Sequence, residues 1–233
     1  MRVYTGTSGF SYKEWVGVFY PEGTKAADML SVYATRLTAV EINNTFYRLP
    51  RASVLEGWAA SVGEGFRFAI KASRRITHFK RLKPEALSET TYLVETTSLL
   101  GSALGVLLMQ LPPNFACDVE RLKEYLEGVP AGVRMAFEFR HPSWLDDAVY
   151  EQLTKHGHAL CIADGEDMDT PAIATTNWGY LRLRRPDYSA DQLDQWERTI
   201  AAMNWEEAFV FFKHEDAGAG PLMAEAFAKR FGG

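Results

Sequence analysis

Eight short apolar runs punctuate the chain, each followed by a polar loop and, in most cases, by a segment with helical spacing. The runs are RVYTG (2–6), AVEIN (39–43), FRFAIKA (66–72), GVLLMQL (105–111), RMAFEFR (134–140), ALCIAD (159–164), GYLRLR (179–184) and AFVFFKH (208–214). Their length and their β-branched and aromatic content predict strands. Helices are predicted over 28–37, from Ser53, over 90–101, from Asp118, over 146–156, from Ser189 and over 221–231. Ser11 with Glu14, and Ser53 with Glu56, have the spacing of capping boxes. The stretch after the sixth run, GEDMDTPAIATTN, shows little helical pattern.

Strands that alternate with helices predict parallel pairing through helical crossovers. Eight such units in 233 residues predict an α/β fold: one TIM-type (β/α)8 barrel domain over 1–233, with an irregular connection between strands 6 and 7. The rival, an open doubly wound sheet, commonly carries GxGxxG after its first strand, where this chain has GTSG.

In such a barrel the chemistry gathers at the C-terminal ends of the strands. Side chains alternate between the interior and the helix layer, so the period of two selects those that face inward. Val40 and Ile42 suit the helix layer, leaving Glu41 and Asn43 inside. By the same reading Lys71, Glu138, Arg140, Arg182 and Arg184 face inward, while Gln110 and Asp164 close their strands. The last run is ambiguous, because every residue from Ala208 to Phe212 is apolar; it ends in Lys213, His214, Glu215 and Asp216. Charge inside a barrel is costly unless paired or functional. Two readings follow: a buried lattice such as Glu41–Lys71 and Glu138–Arg182 that plugs the barrel, or a polar pocket.

Charge sharpens the second reading. The formal net charge is −5, yet Lys71–Lys83 (KASRRITHFKRLK) holds six Lys or Arg and no acid. A net acidic chain is not a general nucleic-acid binder, and a concentrated basic loop points to a local anion site. It places Arg74, Arg75 and His78 on the rim beside Lys71, where Arg suits phosphate or carboxylate oxygens. With 47% hydrophobic and 24% charged residues the composition is that of an ordinary globular protein. A chain of this size buries roughly 70–75% of its unfolded surface and needs no covalent staples. Cys117 and Cys161 are too few for a disulfide framework and lack zinc-ligand spacing; Cys161, in ALCIA, reads as core. A reducing cytoplasm is the natural setting. No h-region follows Met1, and no run reaches the ~18 apolar residues of a membrane span.

Several chemistries fit the inward set. Glu41 and Glu138, with Asp164 third, are the candidate acid–base carboxylates. Two carboxylates flanking a sugar would suit glycoside hydrolysis, but the surrounding cations fit an anion better. A divalent metal is a second possibility, with Glu41, Glu138, Asp164, His78, His141 and His214 as O and N donors and a phosphoesterase-like hydrolysis as its use. The HGH at 156–158 lies at the wrong end of its strand. Lys71 suits Schiff-base chemistry, and the amides of GTSG suit phosphate, unless they simply form a tight turn. Phe46, Tyr47 and Trp144 are candidates for stacking on a base or sugar, or else caps on the barrel. The reading is thus a barrel enzyme that takes a phosphate-bearing anion on Asn43, Lys71, Arg74, His78, Arg140, His141, Trp144, Arg182 and Lys213. The alternative is a non-catalytic binding protein for a phosphorylated metabolite or nucleic acid.

The motifs GTSGFSYKEWVGVFYP, ML..YA, VEINNTFYRLP, FAIKASRRITH and AFEFRHPSW resemble the YecE-like family, also called domain of unknown function 72. The resemblance covers nearly the whole chain and implies a TIM-type barrel, with no activity assigned. Its signature residues coincide with Glu41, Asn43, Lys71, Glu138, Arg140 and His141. Two strand ends depart from the commoner family pattern. YLRLRRPDY places Arg184 and Arg185 where many members resemble YxRLHG, and FFKHED replaces an FNND-like end.

Overall fold

The β-period runs close into a cylinder. The computed structural model describes residues 1–165, 168–213 and 218–232. Its strands are β1 (Arg2–Ser8), β2 (Ala39–Ile42), β3 (Arg67–Lys71), β4 (Leu104–Gln110), β5 (Met135–Glu138), β6 (Ala159–Asp164), β7 (Trp178–Leu183) and β8 (Glu207–Phe212). All pair in parallel in chain order, and β8 returns to β1 through six register pairs from Arg2–Glu207 to Thr7–Phe212. This is the TIM-type (β/α)8 architecture. The helices are α1 (Met29–Ala34), α2 (Ala52–Ala60), α3 (Leu87–Thr97), α4 (Val119–Gly128), α5 (Asp147–His156), α6 (Ala190–Ala201) and α7 (Ala219–Ala228). Among the described residues the connection from β6 to β7 contains no helix. It is tied back instead by Thr175, whose hydroxyl accepts from Leu160 N (2.9 Å) and donates to His158 O (2.8 Å).

Local chemistry explains some of the helix ends. Asp146 caps α5 by accepting from Ala148 N at 2.9 Å, and Gly157 ends it with φ +70°, a left-handed geometry that glycine adopts freely. Ser189 and Gln192 form a reciprocal capping box on α6. The two boxes expected from sequence do not form. The chain after β1 makes only a short 3-10 turn, Lys13–Trp15, with Tyr12 at its N-cap, and the Ser11 hydroxyl turns to Met29 Sδ. α2 starts at Ala52, which puts Ser53 inside its first turn. α3 stops at Thr97, short of the expected 101, and passes into a 3-10 stretch over Ser98–Ala103.

Two apolar layers result. Val40, Ile42, Phe68, Ile70, Phe137, Leu181, Leu183, Val210 and Phe212 pack between strands and helices. The barrel interior is filled unevenly. Tyr4, Trp178, Tyr180, Phe209 and Phe211 reach in from β1, β7 and β8, and Ala39, Ala69, Ala136, Ala159 and Cys161 leave room for them. Tyr4 and Phe209 stack at 4.9 Å across the β1–β8 seam. Phe209 and Phe211 facing in resolve the ambiguous alternation of β8 and turn Lys213 toward the mouth. β1 and β2 approach so closely that a Cβ on Gly6 would lie 1.8 Å from Ala39 O. The buried Tyr33 hydroxyl bridges these strands, accepting from Thr7 N (2.8 Å) and donating to Ala39 O (2.9 Å). No helix among the described residues is long and apolar enough to cross a membrane.

Candidate functional site

Two carboxylates and one guanidinium form the floor of the C-terminal mouth. Glu41, at the end of β2, and Glu138, at the end of β5, are both fully buried, and Arg182 of β7 is 2% exposed. Arg182 bridges them: Nη2 donates to Glu41 Oε1 at 2.8 Å and Nη1 to Glu138 Oε2 at 2.6 Å. Ser8 Oγ and Asn43 Nδ2 each reach Glu41 Oε1 at 2.9 Å, and the Tyr180 hydroxyl donates to Oε2 at 2.7 Å. Glu138 accepts from Arg140 Nε at 2.6 Å and from Gln110 Nε2 at 2.8 Å. Tyr180 and Ser8 were not singled out from sequence. The signal was present, since Tyr180 lies two residues before Arg182 and Ser8 four after Tyr4, on the same inward face.

This network fixes the protonation of its members. Burial pushes both carboxyls upward, but the cations outweigh it. Arg182, with the bonds from Tyr180, Asn43 and Ser8, holds Glu41 below the usual carboxylate range. Arg182 and Arg140 hold Glu138 down at about 2. Lys71 moves the other way: burial, then the neighbouring Arg182, lowers it to about 8. Its Nζ lies 4.5 Å from the Phe46 ring, whose edge meets His78 at 4.8 Å. Burial, then Lys71 and Arg81, lower His78 as well.

Above the floor opens a cavity of about 670 Å³, lined by Arg140, Arg184 and Lys213 together with Pro113, Pro142 and Met168. Arg184 has no ion-pair partner among the described residues, and burial, followed by the field of Arg182, lowers its pKa. Five cationic side chains, Lys71, Arg140, Arg182, Arg184 and Lys213, thus meet two carboxylates at the mouth. A buried lattice is present and a cavity opens above it, although Arg182, and not Lys71, is the partner of Glu41.

Other expected members lie elsewhere. Asp164 is on the helix-facing side of β6 with Leu160 and Ile162, so it points away from the mouth. It accepts from Arg185 Nε (2.6 Å) and Trp196 Nε1 (3.1 Å) in a separate cavity of about 330 Å³. Trp144 is fully buried, stacked on Phe139 at 4.8 Å and donating to Phe115 O at 2.6 Å, and so has no face for a ligand. His141 turns Nδ1 to Ser143 Oγ (2.8 Å), and that hydroxyl accepts from Cys117 N (2.8 Å). The GTSG amides are spent internally: Thr7 N on Tyr33, and Gly9 N on Thr7 O at 3.0 Å. Arg74 and Tyr47 lie on the outer flank of the rim. His214, Glu215 and Asp216 are outside the described residues. Among the described residues the donor set does not suit a metal. Both glutamates already accept bonds from cations or neutral donors on each oxygen, and no three of His, Cys, Asp and Glu are grouped among the described residues.

The sequence matches, over residues 4–233, the family described as "Protein of unknown function DUF72". The chain belongs to the DUF72 family. Among DUF72 proteins of solved structure, one from Thermotoga maritima MSB8 superposes with a TM-score of 0.84 at 27% identity, over the whole of both chains. The UPF0759 protein YunF of Bacillus subtilis (strain 168) is 24% identical over 91% of this chain and 78% of its own. The UPF0759 protein YecE of Escherichia coli (strain K12) is 28% identical over 66% of this chain and 54% of its own. The DUF72 assignment agrees with the barrel and leaves the activity open.

Proposed function

We propose that the barrel mouth is a site for a small organic anion bearing phosphate or carboxylate groups, with Lys71 as its proton-transfer group. The observation that carries this reading is Arg184, a half-buried cation that lines the cavity with no acidic partner among the described residues. An unpaired cation held among other cations destabilises the free protein, and an anionic ligand relieves that cost. The apolar rim of Pro113, Pro142 and Met168 suits the carbon skeleton of such a ligand.

The roles given to Glu41 and Glu138 change accordingly. Glu138, held near 2, and Glu41, held below the usual carboxylate range, are weak bases that stay ionised at neutral pH, so they act as a rigid electrostatic floor. Lys71, near 8, is the group matched to proton transfer close to neutral pH. The locked floor also suits a binding protein without catalysis, and one experiment separates the two. Sugar phosphates, nucleotides and dicarboxylates are screened by thermal shift, where a ligand at a hundred times its Kd stabilises by about 2.7 kcal/mol. Arg184→Gln should abolish the shift given by the hit. Lys71→Met should keep much of that shift but lose turnover of the same compound. A full shift in Arg184→Gln rejects the mouth as the site, and unchanged Lys71→Met turnover rejects the proton-transfer role.

A further inference from the structure

On the outer side of the mouth rim, the segment after β2 and the turn after β3 enclose a further cavity of about 620 Å³, with α3 as its wall. Three of its lining residues are among the most exposed large side chains of the described structure: Tyr47 at 70%, Phe79 at 66% and Tyr92 at 61%. Surface aromatics scattered singly need no explanation, but three in one groove do. Four arginines line the same groove, Arg48, Arg51, Arg74 and Arg75, and none has an ion-pair partner among the described residues. The one acid there, Glu89, is taken by Lys80 at 2.6 Å. The Arg74 guanidinium lies 5.3 Å from the Tyr47 ring and 5.3 Å from the Phe79 ring, bridging two aromatic faces.

The backbone that presents these groups is unusual. Arg75–Phe79 forms a wide π turn closed by Lys80 N to Arg75 O at 2.9 Å. Arg81 and Leu82 follow with φ +48° and +59°, a left-handed pair that L-residues adopt at a cost. Buried Ile76, Thr77 and Leu82 anchor this path, and Arg74, Arg75 and Phe79 are left exposed. Strain of this kind gathers where a segment must display particular side chains.

A single-stranded nucleic acid offers flat bases for the rings and a regular row of phosphates for the arginines. A duplex hides its base faces, and an acidic peptide or anionic membrane gives the stacked arrangement nothing planar to meet. We propose that this flank groove binds a single-stranded nucleic acid, with bases stacked on Tyr47, Phe79 and Tyr92 and phosphates held by Arg48, Arg51 and Arg75. The acidic remainder of the chain confines such binding to this groove. The proposal does not depend on the ligand of the mouth.

The test is fluorescence anisotropy of the full chain with a labelled oligothymidylate of about twelve nucleotides, and with a matched duplex, across a salt series. Saturable binding that favours the single strand is expected. The slope of log K against log salt should be about −0.7 per phosphate neutralised, hence about −2 for three arginines. The double variant Tyr47→Ala/Phe79→Ala should bind at least about tenfold more weakly at unchanged slope. Arg48→Gln/Arg75→Gln should flatten the slope by about 1.4. All four side chains are exposed, and circular dichroism confirms that the variants remain folded. The proposal is overturned by absence of saturable binding at low salt, by equal affinity for the duplex, or by full affinity in the aromatic double variant. Stronger competition by polyglutamate or by phosphatidylserine vesicles than by unlabelled oligothymidylate also overturns it. Arg184→Gln should leave oligonucleotide affinity unchanged; if it removes binding, the strand is held at the mouth and the flank assignment fails.

Discussion

Arg182 satisfies two buried carboxylates with one guanidinium, which makes it the residue whose loss the barrel tolerates least. Removing one partner from a buried ion set leaves uncompensated charge and costs about 3–5 kcal/mol. Arg182→Met should therefore lower the urea unfolding free energy by that amount. The triple variant Glu41→Gln/Glu138→Gln/Arg182→Met should recover most of the loss, since a buried network replaced as a whole is often nearly neutral. A triple variant no better than Arg182→Met would mean that the destabilisation comes from lost packing and not from charge. The members of this network were legible from strand period, but its pairing was not. Whether Glu41 meets Lys71 or Arg182 depends on barrel register and side-chain reach, which alternation along one strand does not encode.

At the scale of elements, the strands were legible almost to the residue because apolar runs, prolines and glycines mark their limits. The facing of β8 was not, since every position from Ala208 to Phe212 is apolar and only the closed barrel shows that Phe209 and Phe211 turn inward. Asp164 shows the reverse error. Leu160 and Ile162 already assign its face to the helix layer, so the period of β6 carried the answer. Ser11 and Ser53 have the spacing of a capping box without the local backbone that one requires. Trp144 follows a strand end, but that position does not say which side of the wall its ring takes. The β1–β2 contact gives a sharp test. Gly6→Ala sets a methyl 1.8 Å from a carbonyl oxygen and should cost more than about 3 kcal/mol, read as a lost or strongly lowered Tm. Tyr33→Phe, which removes the bridging hydroxyl only, should cost about 1–3 kcal/mol. A Gly6→Ala protein as stable as the parent would show that the two strands can part at no cost.

For the whole molecule, buried titratable groups set a pH profile with a defined sign. His158, at the start of β6, is buried, and burial followed by the nearby His156 lowers it to about 4 from 6.5. The unfolded chain takes up that proton first, so its contribution is complete above about 6.5 and is lost as pH falls to about 4. Glu138 continues the loss from about 4.5 down to about 2. Lys71 acts on the alkaline side: its depressed pKa costs stability at neutral pH, and that cost is relieved between about 8 and 10.5. His158→Leu should flatten the acid limb between 6.5 and 4 by about 3 kcal/mol. Lys71→Met should remove the alkaline rise. Urea midpoints across pH measure both, and an unaltered acid limb in His158→Leu would assign it to other groups.

The uneven filling of the interior bears on how the cylinder is completed. Tyr4 and Glu207 touch across 203 positions of chain, so the final seam joins the most distant parts of the polymer. Such contacts are slow to find, because the loop entropy is lost before any contact rewards it. The rings of Tyr4, Phe209 and Phe211 gather at this joint, so it is well fastened once made. Exchange of an end strand between two copies would have to break that aromatic clasp first, which guards the closed barrel against strand swapping.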